Sequence, residues 1–311
     1  MMTTLPVDRF APITLPELLA GAELLTRFDR KYLLDRQQAE ALLQEFDPHT
    51  RALTIDGRRR FRYESVYFDT PDLLSYRQAA HARRHRFKVR TRSYLDSGLA
   101  FLEVKVRGDR EITVKDRIGH EFDTRDQLTD AGRDHVEDTL DRRGMDGSAA
   151  QQLRPTLITR YERTTLVPPE PGVRVTIDTG LTWQDVSPAS TEKPGDGVHF
   201  LPNTASGRQI RQAERLCGRN CPDCAAVEPG TRTHAAGEHA LALADLVIVE
   251  TKSGARPSAV DRLLWRSGQR PASVSKYGTG LAALRGELPA NKWARILRHH
   301  FHTTEELPCA A

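Results

Sequence analysis

The sequence predicts an α+β fold: an antiparallel β-barrel with helices on its flanks. Three observations lead there. Eight segments alternate polar and apolar residues with a period of two, the spacers between several of them are turn-like, and helical periodicity is confined to short stretches between and after them.

Residues 1–20 contain prolines and no period, and read as an N-terminal arm. The chain from 21 to 287 reads as one domain interrupted by an insertion at about 185–240, and 288–311 as a tail with a short helix. The first strand falls at 27–34; Asp35 then stands as an N-cap, and Ala39, Leu42, Leu43 and Phe46 mark the apolar face of a helix. Further strands are predicted over 63–68, 87–94, 101–107, 111–117, 156–166, 173–183 and 244–252. Asp96-Ser97-Gly98 and Gly108-Asp109 are hairpin spacers, and Asp69-Thr70-Pro71 signals a helix start. Helical periodicity returns over 124–143 and from Ser258 to Arg266, after Pro257, with Trp265 at core spacing. Residues 185–240 collect Pro, Gly, Ser, Thr, Cys and His without a period, and there is no internal repeat.

With 311 residues and 38% hydrophobic content the chain can bury a core, which excludes a disordered tail. A net charge of +4, from 46 Lys+Arg against 42 Asp+Glu, argues against a basic coat for nonspecific nucleic-acid binding, so any anion site must be local. No apolar run approaches a membrane span, the N-terminus carries no secretory signal, and the four cysteines do not form a secreted disulfide framework; the expected compartment is the cytoplasm.

The local site emerges from strand parity. Residues two apart project the same way, so Lys88, Arg90 and Arg92 share a face, as do Glu103, Lys105 and Arg107 on the next strand and Lys115 and Arg117 on the one after. Lys31 lies with Asp29 and Arg27, Arg163 with Tyr161, Arg174 with Thr176 and Asp178, and Glu250 with Lys252. The opposite faces carry Phe87, Val89, Leu102, Val104, Val175, Ile177 and Val249. A charged solvent face explains any one strand, but not cations recurring strand after strand with sparse acids. Only eight of the 46 cations are lysines, and Lys31, Lys88, Lys105, Lys115, Lys252 and Lys276 are six of them. Lysine offers a compact point charge for phosphate oxygens and arginine a bidentate fork. If the sheet closes, these cations converge on a channel that only a polyvalent anion would relieve of repulsion and desolvation, and a chain of phosphates is the natural ligand. Glu103 and Glu250 would then be placed to hold a divalent metal.

The ordered set Lys31-Tyr32, Tyr67-Phe68-Asp69-Thr70, Lys88-Val89-Arg90-Thr91-Arg92, Glu103-Val104-Lys105, Lys115-Asp116-Arg117, Tyr161-Glu162-Arg163, Arg174-Val175-Thr176-Ile177-Asp178, Glu250-Thr251-Lys252 and Ser275-Lys276-Tyr277 resembles the VTC domain. This is the polyphosphate polymerase domain of the vacuolar transporter chaperone family, within the triphosphate tunnel metalloenzymes. The resemblance runs from about residue 24 to 285. It implies a β tunnel that moves the γ-phosphoryl group of ATP onto polyphosphate with Mn²⁺ or Mg²⁺. By motif, Arg90, Arg92, Lys105 and Arg163 would act on the transferring phosphoryl group. Lys31, Lys88, Lys115, Arg117, Arg174, Lys252 and Lys276 would bind substrate, and Glu250, with Glu103, the metal. The family also has members that bind polyphosphate without making it, so a binding protein is one alternative; a triphosphate hydrolase is the other, and Arg27, standing where related tunnel triphosphatases carry their ExExK acids, argues against its two-metal form. Without an SPX domain before the tunnel or a membrane segment after it in this sequence, inositol-phosphate control and self-contained translocation are not expected, and a separate membrane protein is a partner the sequence leaves open.

Cys217, Cys221 and Cys224 are spaced C-x₃-C-x₂-C. Structural zinc completed by His199, His234 or His239, reduced unligated thiols, and an iron–sulfur cluster are the three readings. His299, His300 and His302 read as a solvated helix end, and Arg58-Arg59-Arg60 as a surface turn.

Overall fold

The computed structural model describes residues 5–20, 28–107, 113–187 and 240–301. In chain order it holds β1 (Ala11–Ile13), α1 (Leu15–Ala20), β2 (Phe28–Leu34), α2 (Arg36–Gln44), β3 (Arg51–Leu53), β4 (Phe61–Asp69), α3 (Leu74–Ala80), β5 (Arg86–Tyr94), β6 (Leu99–Arg107) and β7 (Thr113–His120). Then follow α4 (Asp130–Asp141), a 3₁₀ turn (Gly147–Gln152), β8 (Arg154–Val167), β9 (Arg174–Asp185), β10 (Ala240–Leu243), β11 (Val247–Ser253), α5 (Ala259–Arg266), α6 (Lys276–Leu284) and α7 (Ala294–His300).

The main sheet runs β2-β11-β9-β8-β4-β5-β6-β7, antiparallel throughout, with β3 added to β8, β1 parallel to β3, and β10 beside β11 along the same edge of β9. The expected barrel is a curled sheet: among the described residues β2 and β7 pair with one neighbour each and not with each other. The α+β class and the predicted strands are otherwise as expected, with shifted ends. The strand predicted over 244–252 is β11, which begins only at Val247 after a bend at residues 244–245, and β10 precedes it as a strand that the sequence reading did not contain. Residues 11–20, expected to lack regular structure, form β1 and α1, and Leu5, Val7 and Phe10 are buried with the core. Three-residue strands such as β1 and β3 are too short to display a period.

The sheet's convex face packs on helices. Asp35 caps α2 in a capping box with Gln38, and Ser258 caps α5 in one with Asp261. Leu42, Leu43, Val260 and Leu264 of these helices cover Tyr32, Val175, Ile177 and Val249. Val136 and Leu140 of α4 cover Val89, Leu102 and Val104.

The concave face is divided. One part is apolar, with Leu33, Leu157, Leu181, Trp183 and Ile248, and is covered by α3, α6 and α7 through Tyr76, Tyr277, Leu281 and Ile296. The other part is the charged face. Helix α6 lies at the boundary, so its N-cap Ser275 and first residue Lys276 line the charged cavity. Two glycines allow α6 to lie this close. A Cβ on Gly278 would stand 2.1 Å from the Trp293 ring, and one on Gly280 would stand 2.1 Å from the Trp183 ring. Trp183 cannot withdraw freely, because its Nε1 donates to the Lys276 carbonyl at 2.8 Å. Gly280→Ala is therefore expected to lower stability by about 1–3 kcal/mol through overpacking, read from urea unfolding, despite alanine's better helix propensity.

Candidate functional site

All eight strands of the main path send side chains into one cavity of about 290 Å³. Its walls carry nine cations, Lys31, Lys88, Arg90, Arg92, Lys105, Lys115, Arg163, Lys252 and Lys276, against four carboxylates, Asp29, Glu103, Asp178 and Glu250. Period-two parity brings them together. Arg90 pairs in register with Glu103 and Lys88 with Lys105 across β5 and β6; Lys105 pairs with Lys115 across β6 and β7, and Lys31 with Glu250 across β2 and β11. Every described lysine lines this cavity or the mouth beside it, where Lys292 stands.

Three of the acids each hold a group of cations. Glu103 accepts from Arg90 at 2.7 Å and from Lys115 at 2.6 Å, with Arg92 at 3.8 Å. Glu250 meets Lys31 at 2.7 Å through one oxygen and Lys252 at 3.0 Å through the other. Asp178 takes a two-pronged bond from Arg163, at 2.6 and 2.8 Å, and pairs with Lys276. Burial opposes ionisation of all three, but the cations outweigh it: Asp178 is held down at about 2, and Glu103 and Glu250 well below the carboxylate range.

The cation excess falls on Lys88 and Lys105. Neither has a carboxylate within salt-bridge distance among the described residues. The Lys88 ammonium donates to Ser275 Oγ at 2.9 Å and lies 5.9 Å from the Tyr67 and Tyr277 rings. Burial, together with Arg90, Lys105, Lys31 and Lys292, pulls it down to about 7. Burial and Lys31 also lower Lys105.

A pH dependence follows. Above pH 7 Lys88 loses its proton in the empty protein, so binding a polyanion there requires proton uptake. Tripolyphosphate affinity is expected to fall as pH rises from about 7 to 9, with proton uptake seen by calorimetry in buffers of different ionisation enthalpy; Lys88→Gln removes the uptake. For the empty protein the sign is opposite. A lysine with a depressed folded pKa destabilises the fold when charged, so stability rises with pH between the folded value of about 7 and the unfolded value of 10.5. Affinity that is flat over this range would exclude Lys88 from the site.

Of the residues singled out by sequence, Lys31, Lys88, Arg90, Arg92, Lys105, Lys115, Arg163, Lys252, Lys276, Glu103 and Glu250 meet in the cavity. Arg117 and Arg174 do not line it. Arg117 lies over the Phe101 ring at 5.0 Å, and Arg174 donates to the Leu18 carbonyl at 3.0 Å in an adjoining cavity. Cys217, Cys221 and Cys224 lie outside the described residues, as does Arg27. Sequence reasoning did not assign site roles to Asp178, Tyr67, Tyr161 or Ser275. Asp178 has the inward parity of Arg174, but its pairing opposite Arg163 depends on a register shift between Arg160 and Glu162 in β8 that no periodicity reports.

For a divalent metal, the described residues hold no cluster of three acid, histidine or cysteine ligands. The donor set nevertheless fits an ion carried by phosphates, because such ions take one or two protein carboxylates and complete their shell with phosphate oxygens and water. Glu250 is the better candidate, since Lys31 and Lys252 can swing from its oxygens to phosphates. Glu103 is 4% exposed at its side chain and enclosed by three cations.

The sequence profile of the VTC domain family matches residues 26–285. The chain belongs to the VTC domain family. No curated protein matches the chain. Among solved structures, this VTC domain is similar to a Hippeastrum protein named as a candidate adenylyl cyclase with a dominant triphosphatase activity, at 13% identity and a TM-score of 0.43, covering 86% of this chain and all of that one. It is also similar to a candidate adenylate cyclase from Bacillus halodurans, at 10% identity and a TM-score of 0.39, covering 79% of this chain and 92% of the other. A Pyrococcus horikoshii protein, PH1819, is matched at 12% identity and a TM-score of 0.34 with the same coverages.

Proposed function

We propose that this VTC domain is an ATP-dependent polyphosphate polymerase, a metal-dependent phosphotransferase. The observation that supports this is the cavity charge: nine cations against four acids, three of which are already committed to cations, in a space of about 290 Å³. Such an arrangement matches a run of phosphates rather than a single one.

In this reading the triphosphate of ATP and the end of the polyphosphate chain lie in line in the cavity. A terminal oxygen of the chain attacks the γ-phosphorus, the bond from that phosphorus to the β–γ bridging oxygen breaks, and ADP leaves with the electron pair. The chain grows by one phosphate. Arg90, Arg92, Lys105 and Arg163 stabilise charge on the transferring group, while Lys31, Lys88, Lys115, Lys252 and Lys276 hold the flanking phosphates. The phosphoryl-transfer transition state asks mainly for positioning and charge stabilisation, and no protein nucleophile takes part. Bound at Glu250, Mn²⁺ or Mg²⁺ supplies neutralising charge at phosphate oxygens. Arg174 meets phosphates from the adjoining cavity, outside the centre, and Arg117, over the Phe101 ring, is left without a part in the transfer. We place the reaction in the cytoplasm, with delivery of product across a bilayer left to a separate membrane protein; among the described residues no helix is long and apolar enough to cross one.

The test incubates purified protein with ATP and Mn²⁺ or Mg²⁺, with and without a short polyphosphate primer, and resolves products on a gel. Long polymer is the expected result. Tight polyphosphate binding without polymer would make this a binding protein, and release of free phosphate without polymer a hydrolase.

A further inference from the structure

Behind the Glu250 corner of the cavity, on the convex face of the sheet, lies a carboxylate that the proposed reaction does not use. Asp261 of α5 is 0% exposed, and its two oxygens serve different partners. Oδ2 takes the Ser258 N–H at 2.7 Å and the Ser258 hydroxyl at 2.8 Å, with Arg30 at 3.6 Å. That oxygen by itself meets the needs of the capping box. Oδ1 takes the Tyr32 hydroxyl at 2.7 Å and the Thr251 hydroxyl at 2.6 Å, and so joins β2 to β11. The Tyr32 oxygen accepts in turn from Trp265 Nε1 at 3.1 Å. Burial works against the charge of Asp261, but the bonds from Thr251, Tyr32 and Ser258 hold its carboxyl below the ordinary value.

Both strand partners of Oδ1 are sequence neighbours of cavity residues. Tyr32 follows Lys31, and Thr251 stands between Glu250 and Lys252, with parity sending the neighbours to opposite faces. Among the described residues β2 is an edge strand that pairs with β11 alone. On the cavity side the two strands are tied by the Lys31–Glu250 ion pair at 2.7 Å. In the proposed reaction that tie is given up, because Lys31 turns to phosphate and Glu250 to the metal. The bonds to Asp261 lie on the other face, away from both ligands, and persist. We propose that Asp261 is a positioning residue: through Thr251 and Tyr32 it braces β2 against β11 from outside, so that Glu250 keeps its place when its lysines leave. This rests on the polymerase reading, with Glu250 at the metal. Groups that fix the orientation of a metal-binding side chain from behind commonly matter to metal affinity by about 10- to 100-fold.

Thr251→Val keeps the branched shape and removes the hydroxyl, and Thr251→Ser supplies it again. Calorimetry on the whole chain compares Kd for ATP with and without Mn²⁺. In Thr251→Val the tightening produced by Mn²⁺ is expected to shrink about tenfold, while Kd for tripolyphosphate without metal stays within about twofold of wild type. Thr251→Ser is expected to recover most of the Mn²⁺ effect. Val136→Ala, in the α4 core, lowers stability without touching β2 or β11 and is expected to leave the Mn²⁺ effect at its wild-type size. A Mn²⁺ effect undiminished in Thr251→Val, an equal loss in Val136→Ala, no recovery with serine, or weakened tripolyphosphate binding without metal would overturn the brace. The polymerase reading fails separately: absence of polymer from the wild-type protein removes it, while the Mn²⁺ dependence of ATP binding in the same variants still decides whether the Thr251 hydroxyl acts on the metal corner.

Discussion

Replacing Glu250 with glutamine should reduce polymer synthesis by about 10²-fold or more while leaving tripolyphosphate binding intact or tighter. The two effects have one cause. Glu250 holds Lys31 and Lys252 through separate oxygens and is kept ionised by them and by Arg163, although burial works against its charge. The amide removes a negative charge from a cavity that already favours anions, and both lysines become available to phosphates. What it cannot do is serve as an anionic ligand for a metal carried by the nucleotide. Loss of synthesis should therefore come with a weaker dependence of ATP binding on Mn²⁺ or Mg²⁺. Because the Glu250 pKa is depressed, wild-type rates should show no ionisation of this residue near neutral pH, where Lys88 is the titrating group. Undiminished synthesis by the variant would remove Glu250 from the metal role, and weakened tripolyphosphate binding would mean that its ordering of the two lysines matters more than its charge.

Much of this site was legible in the sequence because a strand's period is fixed at two. Once Lys88, Arg90 and Arg92 are assigned to a strand, their common face follows without knowledge of the fold, and Val89 and Thr91 are placed opposite. The preference for lysine was a second signal, independent of periodicity, and it selected cavity residues. Less legible was everything that depends on how strands meet. Parity shows that Glu103 and Glu250 point inward but not which cations they hold, because those pairs are set by cross-strand register. It also hides the division of the concave face: Leu33 and Lys31 have the same parity, yet Leu33 packs with the α6 core and Lys31 lines the cavity. That boundary exists because α6 folds back over the sheet, and its close approach rests on Gly278 and Gly280, whose role is visible only beside Trp293 and Trp183. That β2 and β7 do not pair among the described residues is likewise a property of the two strands together, which neither records alone.

Asp178→Asn should produce the largest change in stability, about 3–5 kcal/mol at neutral pH without phosphate, because removing one member of a buried ionic group leaves the others uncompensated. Arg163 and Lys276 converge on this carboxylate, whose side chain is 2% exposed, and they tie β8 and the start of α6 to β9. Asparagine keeps the shape and one acceptor oxygen but not the charge. The pH dependence has a definite sign. The folded pKa of Asp178, about 2, lies below its ordinary 3.8, so its contribution is fully present above the ordinary value and is lost as pH falls through about 2. Glu103 and Glu250 also titrate in acid, so the informative quantity is the wild-type minus variant difference in urea-unfolding free energy, measured from neutral pH downward. It should stay constant to about pH 4 and then shrink. Tripolyphosphate supplies the missing anion to Arg163 and Lys276 and should restore more stability to the variant than it adds to the wild type. A difference independent of pH would mean that the carboxylate acts through shape rather than charge. Equal stabilisation of both proteins by tripolyphosphate would mean that these two cations stay with β9 when phosphate binds, and that the carboxylate at Asp178 is a fixed brace of the tunnel wall rather than a place-holder for substrate.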